Sequence, residues 1–134
     1  MTVQWRGNEL IQKVKAATVV GLVRGTESIR EEAVTLINTG AKTGRVYRRN
    51  GISHQASAPG ESPAADTGDL ASKIGTAVDA TTLKGSVEFY SAHAKHQEYG
   101  TRNMAPRPYA RVAVAHKSDE ILKDIADEIG KALR

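Results

Sequence analysis

The sequence predicts an α+β fold, a single domain over residues 1–134 with a long N-terminal helix, a small antiparallel sheet and a C-terminal helix. Three observations lead to this prediction. Apolar residues recur at three- and four-residue steps near both ends of the chain, which is typical of amphipathic helices. The dipeptide Asn50-Gly51 is a strong hairpin signal. An extended loop rich in Ala, Ser, Pro and Gly separates the two helical regions, and 134 residues are enough for one hydrophobic core.

The first predicted element is a helix from Asn8 to about Thr39, with Asn8 as its cap and Gly40 as the residue that ends it. Its apolar positions are Leu10, Ile11, Val14, Ala17, Ala33, Leu36 and Ile37. Gly21 and Gly25 interrupt the middle of the helix, where they mark a kink, a break or a close contact with another backbone. A helix of this length would span about 48 Å, so it must bend or pack on partners.

A β-hairpin is predicted next, with Arg45–Arg49 and Ile52–Ser57 as its strands and Asn50-Gly51 as its turn. The composition then changes to small and turn-forming residues over 56–68. A loop of this length inside a compact domain usually has a function of its own. We therefore expect a mobile loop with a role in assembly or binding.

The region 68–90 is predicted to contain one short helical turn at 68–74 and two strands. The strands are Ile74–Ala80 and Ser86–Tyr90, and the residues 81–85 between them form the turn. These two strands are expected to complete the small antiparallel sheet.

Two more helices follow in the prediction. One runs from Ser91 to Tyr99 and ends at Gly100, and the last begins at about Ser118, which serves as its cap. The apolar stripe of the last helix consists of Ile121, Leu122, Ile125, Ile129 and Leu133. Between the two helices, Pro106 and Pro108 fix an extended or turning segment.

The composition excludes several classes of function. The absence of cysteine rules out disulfides, thiolate metal sites and cysteine nucleophiles. No apolar run approaches the roughly 20 residues of a membrane span, and residues 1–6 lack the apolar region of a signal peptide. We therefore expect a soluble protein that is made in the cytoplasm. The net charge of +4 permits contact with nucleic acid but does not require it.

Candidate catalytic groups are few. His93 and His96 share a helix face and could meet a metal ion, but Glu98 points elsewhere and no strong third ligand is near. Ser53 and His54 are neighbours in a strand and point to opposite faces. Phosphate-binding loops and nucleophile elbows are absent from the sequence. The sequence thus predicts a protein that is not an enzyme and needs no metal or cofactor, and the histidines are interpreted as polar helix surface.

The clearest charge signal is the basic cluster of Arg45, Arg48 and Arg49. On a hairpin, Arg45 and Arg49 would lie on one face and Arg48 on the other. Such arginines could contact DNA phosphates or an acidic partner. The alternative interpretation is a solvated edge strand whose charges prevent aggregation.

A second unusual feature combines a helix stop, two prolines and aromatic rings. It consists of Tyr99-Gly100-Thr101 and, after a short gap, Arg107-Pro108-Tyr109. Aromatic residues beside arginine are enriched where proteins meet, so this corner is a candidate subunit interface. Ordinary loop packing is the alternative.

Two stretches resemble the family of small neck and tail-completion proteins of long-tailed siphophages, which includes the head–tail morphogenesis protein of lambda-like phages. One stretch contains Pro59, Gly60, Glu61 and Pro63 in a loop of small residues and continues to Thr67-Gly68-Asp69-Leu70. It is similar to the family's Pro-Gly-Glu-x-Pro loop and Thr-Gly-x-Leu. The other stretch, from Tyr90 to Tyr109, is similar to the family's Tyr-Ala, Glu-Phe-Gly-Thr and Arg-Pro-Phe signature. Here Ser91 separates Tyr90 from Ala92, and Tyr replaces Phe at 99 and 109.

The resemblance covers nearly the whole chain and implies a structural role in the virion. Such proteins form rings in the neck or at the head-proximal end of the tail, and DNA passes along the axis. The implied partners are further copies of the chain, expected as a hexamer, other neck proteins, and the tail-terminator and head-closure proteins. Packaged DNA is a further, non-specific contact. The sequence leaves two alternatives to the structural role in the virion. They are a small basic nucleic-acid-binding module and a metal-dependent hydrolase that uses His93 and His96.

Overall fold

The fold consists of two long helices, two short helices and two hairpins, and a computed structural model describes it for residues 1–134. The elements in chain order are α1 (Gly7–Thr39), β1 (Val46–Arg49), β2 (Ile52–Gln55), α2 (Asp69–Ser72), β3 (Ile74–Asp79), β4 (Lys84–Phe89), α3 (Ala94–Tyr99) and α4 (Ala110–Ala132). This architecture confirms the predicted α+β class.

The two long helices, α1 and α4, pack against each other along most of their length. Gly21 lies against Ile125 and Gly25 lies against Ile121, so the helices run in opposite directions. A Cβ atom at Gly21 would stand 2.7 Å from Ile125 Cγ1 and 2.9 Å from Ile125 Cα. Of the three interpretations that the sequence left open for these glycines, the structure shows the close contact. The helix continues through both positions without a break.

We expect Gly21→Ala to lower the free energy of unfolding by up to about 2 kcal/mol, although alanine is the better helix former. The gain in helix propensity is about 1 kcal/mol, whereas forcing a carbon into a filled contact costs typically 1–3 kcal/mol. Gly130 in α4 is the matched control because a Cβ atom there would meet nothing within 4 Å. Gly130→Ala should raise stability by up to about 1 kcal/mol. Urea denaturation of both variants checks the opposite signs, and stabilisation by Gly21→Ala would contradict the close contact.

The hydrophobic core lies where α1, α4 and the β3–β4 hairpin meet. Its fully buried members are Ala33, Ile37, Ile74, Tyr109 and Ala113. In the β3–β4 register Ile74 pairs with Phe89, and Phe89 meets the Tyr109 ring edge-to-face at 5.2 Å between centroids. The core is therefore concentrated at one end of the α1–α4 pair, near the C-terminus of α1.

The strands form two separate two-stranded sheets rather than one small sheet. The β1–β2 hairpin turns at Asn50 and Gly51, whose φ angles of 52° and 79° are those of the predicted tight turn. Both β1 and β2 are shorter than predicted. In the other hairpin, Lys84 and Gly85 belong to β4 rather than to the turn.

Two predicted helix caps are wrong. The helix α4 begins at Ala110, and Ser118 lies inside it with its hydroxyl donating to the carbonyl oxygen of Val114. The start of α1 has no side-chain cap, since Asn8 is already within the helix. Gly40 ends α1 as predicted, in an extended conformation with φ −62° and ψ 160°. Lys42 Nζ donates to the Leu36 carbonyl at 3.0 Å.

A large part of the chain's surface is exposed to solvent. Its accessible surface is 9013 Å² for a mass of 14.4 kDa, and only 15 of 134 residues are buried. A compact monomer of this mass would expose about 6,800 Å². The excess of about 2,200 Å² exceeds the surface that a standard protein–protein interface buries. None of the helices is long and apolar enough to cross a membrane.

Candidate functional site

Two segments that are about 40 residues apart in the chain meet at one corner of the molecule. The amide of Gly60 donates to the carbonyl oxygen of Pro106 at 3.0 Å, and Arg107 Nε donates to the carbonyl oxygen of Ser57 at 3.2 Å. The amide of Arg107 also donates to the Gln97 carbonyl at 2.7 Å. We call this region, residues 57–63 together with 97–111, the signature corner. It contains the loop residues and the corner residues that the sequence singled out.

The carboxylate of Glu98 holds the signature corner together. It accepts hydrogen bonds from the backbone amides of Tyr109 and Ala110, both at 2.9 Å, and of Arg111 at 3.1 Å. These are amides of the first turn of α4, which have no partner inside the helix. Arg111 donates in turn to the Glu98 carbonyl oxygen at 2.9 Å. A buried carboxylate therefore caps α4 and ties α3 to it.

The chain reverses direction at Gly100. This residue ends α3 with φ 75° and ψ 179°, a conformation that only glycine adopts readily. Its amide donates to the His96 carbonyl, and Thr101 donates to the Met104 carbonyl at 2.8 Å. Tyr99 is largely exposed, and the Arg111 guanidinium lies 5.6 Å from the centre of its ring. The corner thus presents an aromatic ring and a cation on its outer surface.

Tyr109 is the anchor of the corner in the core. The residue is 1% exposed, and its hydroxyl has no hydrogen-bond partner. Burial, with a smaller contribution from the charge of Glu98, raises the pKa of the Tyr109 hydroxyl to about 12. The ring therefore acts as a neutral, apolar anchor, and its hydroxyl is a buried group that costs free energy.

Replacing Tyr109 by phenylalanine, the residue of the family's Arg-Pro-Phe signature, is expected to raise the free energy of unfolding by about 1 kcal/mol. The substitution removes an unsatisfied buried hydroxyl and keeps the ring. Tyr99→Phe is the matched control, and it should change stability by less than about 0.5 kcal/mol because the side chain is exposed. Thermal or urea unfolding measures both effects. A loss of stability at Tyr109→Phe would mean that the hydroxyl has a partner.

The segment 56–68 is attached to the rest of the chain at several points. The carboxylate of Glu61 accepts from the Thr43 amide at 2.9 Å, from the Thr43 hydroxyl at 2.5 Å and from the Ala58 amide at 2.8 Å. These bonds, led by the one from the Thr43 side chain, hold the pKa of Glu61 below its ordinary value. Lys42 Nζ donates to the Ser62 carbonyl at 2.8 Å. The Pro59-Gly60-Glu61 turn is thus fixed between α1 and the prolines before α4.

The three arginines do not lie in the signature corner and do not form one patch. Arg49 pairs with Asp66 of the loop at 2.7 Å, whereas Arg48 reaches only the Gly51 carbonyl at 3.2 Å. Arg45 precedes β1 and makes no ion pair within the chain. Two exposed guanidinium groups therefore remain free for an external partner, and the third is partly neutralised.

A polar cleft of about 310 Å³ lies between the loop and α3. Arg49, Asp66, Asp69, His93 and Gln97 are among its lining residues. Asp69 accepts from the Ser91 hydroxyl at 2.6 Å and pairs with Lys73, and these contacts, the Lys73 bond first, lower the pKa of Asp69. No group of three histidine, aspartate or glutamate side chains comes together in a way that could hold a metal ion.

The main functional role that sequence reasoning missed is that of Glu98, which was considered as a remote metal ligand and as part of the Glu-Phe-Gly-Thr resemblance but not as a helix cap. Its role as a cap depends on α4 starting 12 residues later, after two prolines. A glutamate just before a Tyr-Gly helix stop, with a Pro-x-Pro segment following, is the one signal that could have suggested it.

We compared the chain with protein-family models, with curated proteins and with solved structures, and none of them matches.

Proposed function

We propose that this chain is a non-enzymatic structural subunit of a long-tailed phage particle. It would form a ring in the neck or at the head-proximal end of the tail, with DNA passing through the channel. The observation that carries the proposal is the signature corner. The two stretches that resemble the neck and tail-completion family are far apart in sequence, yet they are joined by the Gly60–Pro106 and Arg107–Ser57 hydrogen bonds. Segments that resemble one family and also fit together in space are less easily explained by chance.

The open surface supports a role in an assembly. A ring subunit contacts a neighbour on each side through two different surfaces. An excess of about 2,200 Å² over a compact monomer is enough for two such contacts of standard size. Large apolar side chains just before α1 and along the long helices, including Trp5 and Leu122, are exposed in the isolated chain.

The charge distribution is compatible with a channel that DNA crosses. Arg45 and Arg48 are exposed and have no ion-pair partner, so they are the residues proposed to face DNA or an acidic neighbour. Such a channel should make few phosphate contacts, because each contact adds to the affinity for DNA and would hold the DNA in the channel. Virion localisation, assembly with the neighbouring neck, tail-terminator and head-closure proteins, and a hexameric ring belong to the same proposal.

Complementation of a phage that carries a stop codon early in this gene tests the proposal. Without the protein, we expect filled heads and tails that fail to join, and the wild-type gene should restore the titre. Arg107→Ala should lower the titre on the order of tenfold, since losing about 1.4 kcal/mol at a subunit contact changes association by that factor. Arg102→Ala is the matched control, because Arg102 is exposed and makes no ion pair. Full titre with Arg107→Ala would show that the signature corner is not a subunit contact.

The alternative function is a small nucleic-acid-binding module, and the free guanidinium groups of Arg45 and Arg48 are the observation in its favour. Filter binding of the isolated protein to DNA separates the two functions. The neck proposal predicts weak binding, whereas a DNA-binding module would bind tightly and lose affinity steeply as salt rises.

A further inference from the structure

The N-terminal end of α1 projects past the rest of the molecule. The last residues of α4 lie beside Lys13, Ala17 and Val20, so the helix from Gly7 to Ile11 has no α4 partner. The apolar stripe of α1 nevertheless continues into this end. Residues three and four apart share a helix face. Leu10 and Val14 therefore lie on the same face of α1 as Ala17 and Gly21, which α4 covers.

We call residues 1–15, the projecting segment and the turn of α1 that follows it, the N-terminal arm; it is apolar with basic flanks. Leu10 is 46% exposed, Ile11 is 51% exposed, and Trp5, which precedes them, is 89% exposed. Arg6, Lys13 and Lys15 lie beside the apolar residues and make no ion pair, and Glu9 is the only acid of the arm. An uncovered apolar helix face of this kind requires a partner.

The outer face of α4 has the complementary composition. Its exposed apolar side chains are Ala115, Leu122, Ala126 and Leu133, at steps of seven, four and seven residues. They point away from α1, which Ile121 and Ile125 contact. Leu122 is 67% exposed, and Asp119, one turn earlier on the same face of the helix, is exposed and makes no ion pair.

We propose that the N-terminal arm of one copy docks on the outer face of α4 of the next copy. Apolar residues would meet in the centre, with Lys13 placed toward Asp119. This inference rests on the ring proposed above and names the surfaces that build it. Arm-on-arm packing is disfavoured because it would bring the basic residues of two arms together.

The two surfaces cannot meet within one chain. The antiparallel pairing of Gly25 with Ile121 places Leu122 near residue 24, which is about 21 Å along the helix from Leu10. The contact is therefore between copies and joins two different surfaces. Such head-to-tail contacts produce a closed ring, or an open filament where the rotation does not close.

Disulfide trapping tests the docking directly, since the chain contains no cysteine. The variant Leu10→Cys with Leu122→Cys should give a ladder of covalent multimers under mild oxidation. Each single variant should remain monomeric on a non-reducing gel. Covalent dimers of Leu10→Cys alone would show arm-on-arm packing and overturn the proposal, and so would the absence of a ladder from the double variant.

Light scattering of the full chain provides the second readout. Leu10→Asp should weaken self-association at least on the order of tenfold, while its circular dichroism and unfolding stay unchanged because Leu10 is exposed in the monomer. Lys13→Glu should weaken it too, and Asp119→Lys in the same chain should restore it. If wild type is multimeric and these variants do not affect it, the docking is wrong and the ring uses other surfaces. A wild-type monomer without cross-links also overturns the docking, and complementation then decides separately on the neck role.

Discussion

Replacing Glu98 by alanine is expected to lower the free energy of unfolding by about 3 kcal/mol. The carboxylate is 6% exposed and accepts three backbone hydrogen bonds at the start of α4. Hydrogen bonds to a charged acceptor contribute about 1.5–3 kcal/mol, and the amides of Tyr109 and Ala110 would be left without a partner in the substituted chain. Since the same carboxylate joins α3 to α4, we expect the signature corner to loosen as well.

Urea denaturation measures this effect, and Glu88→Ala is the matched control. Glu88 is an exposed glutamate on β4 without an ion-pair partner, so its replacement should change stability by less than about 0.5 kcal/mol. Glu98→Gln should fall between wild type and Glu98→Ala, because the amide keeps one acceptor oxygen and loses the charge. Equal stabilities for Glu98→Ala and Glu88→Ala would show that α4 does not depend on this cap.

The second large effect is expected at Gly100, where alanine should cost about 3 kcal/mol or more. The backbone conformation alone costs a non-glycine residue about 1–3 kcal/mol. A Cβ atom would also stand 2.6 Å from the Met104 carbonyl oxygen and 2.9 Å from the Pro106 nitrogen. Both contacts are with backbone atoms of the same tight loop, which cannot move aside without breaking the Thr101–Met104 bridge.

Gly51→Ala separates the two causes. Gly51 has a φ of 79°, close to that of Gly100, but a Cβ atom there would meet nothing within 4 Å. Its replacement should therefore cost only the backbone strain, about 1–2 kcal/mol. A difference between the two variants in urea denaturation measures the crowding at the corner together with the extra backbone strain at the ψ of 179° of Gly100. Equal losses would mean that the loop after Gly100 yields to the added carbon.

The parts of the fold that were predicted from sequence are those with local signals. Repeated apolar residues predicted α1, and the Asn50-Gly51 turn predicted the β1–β2 hairpin. The start of α4 was not predicted. Its first turns contain small residues with no clear stripe, and its cap is a side chain 12 residues upstream. A cap that reaches across two prolines is a tertiary contact, which a local pattern does not reveal.

Which side of an apolar helix is covered also depends on tertiary structure. Leu122 and Leu133 belong to the predicted stripe of the last helix, but they lie on its outer face, while Ile121 and Ile125 contact α1. When a helix has two neighbouring apolar faces, the sequence alone does not show which of them packs inside the same chain. For the candidate site, the resemblance identified the corner residues, and the structure supplies the hydrogen bonds that join them.

The most direct test of the central claim is cryo-electron microscopy of wild-type particles beside particles that lack this protein. We expect wild-type particles to show a ring of density at the neck or the head-proximal end of the tail that fits two long antiparallel helices per subunit. That ring should be missing without the protein, with filled heads and tails left separate. Intact, infectious particles with unchanged density at the neck would contradict the claim and favour the nucleic-acid-binding alternative.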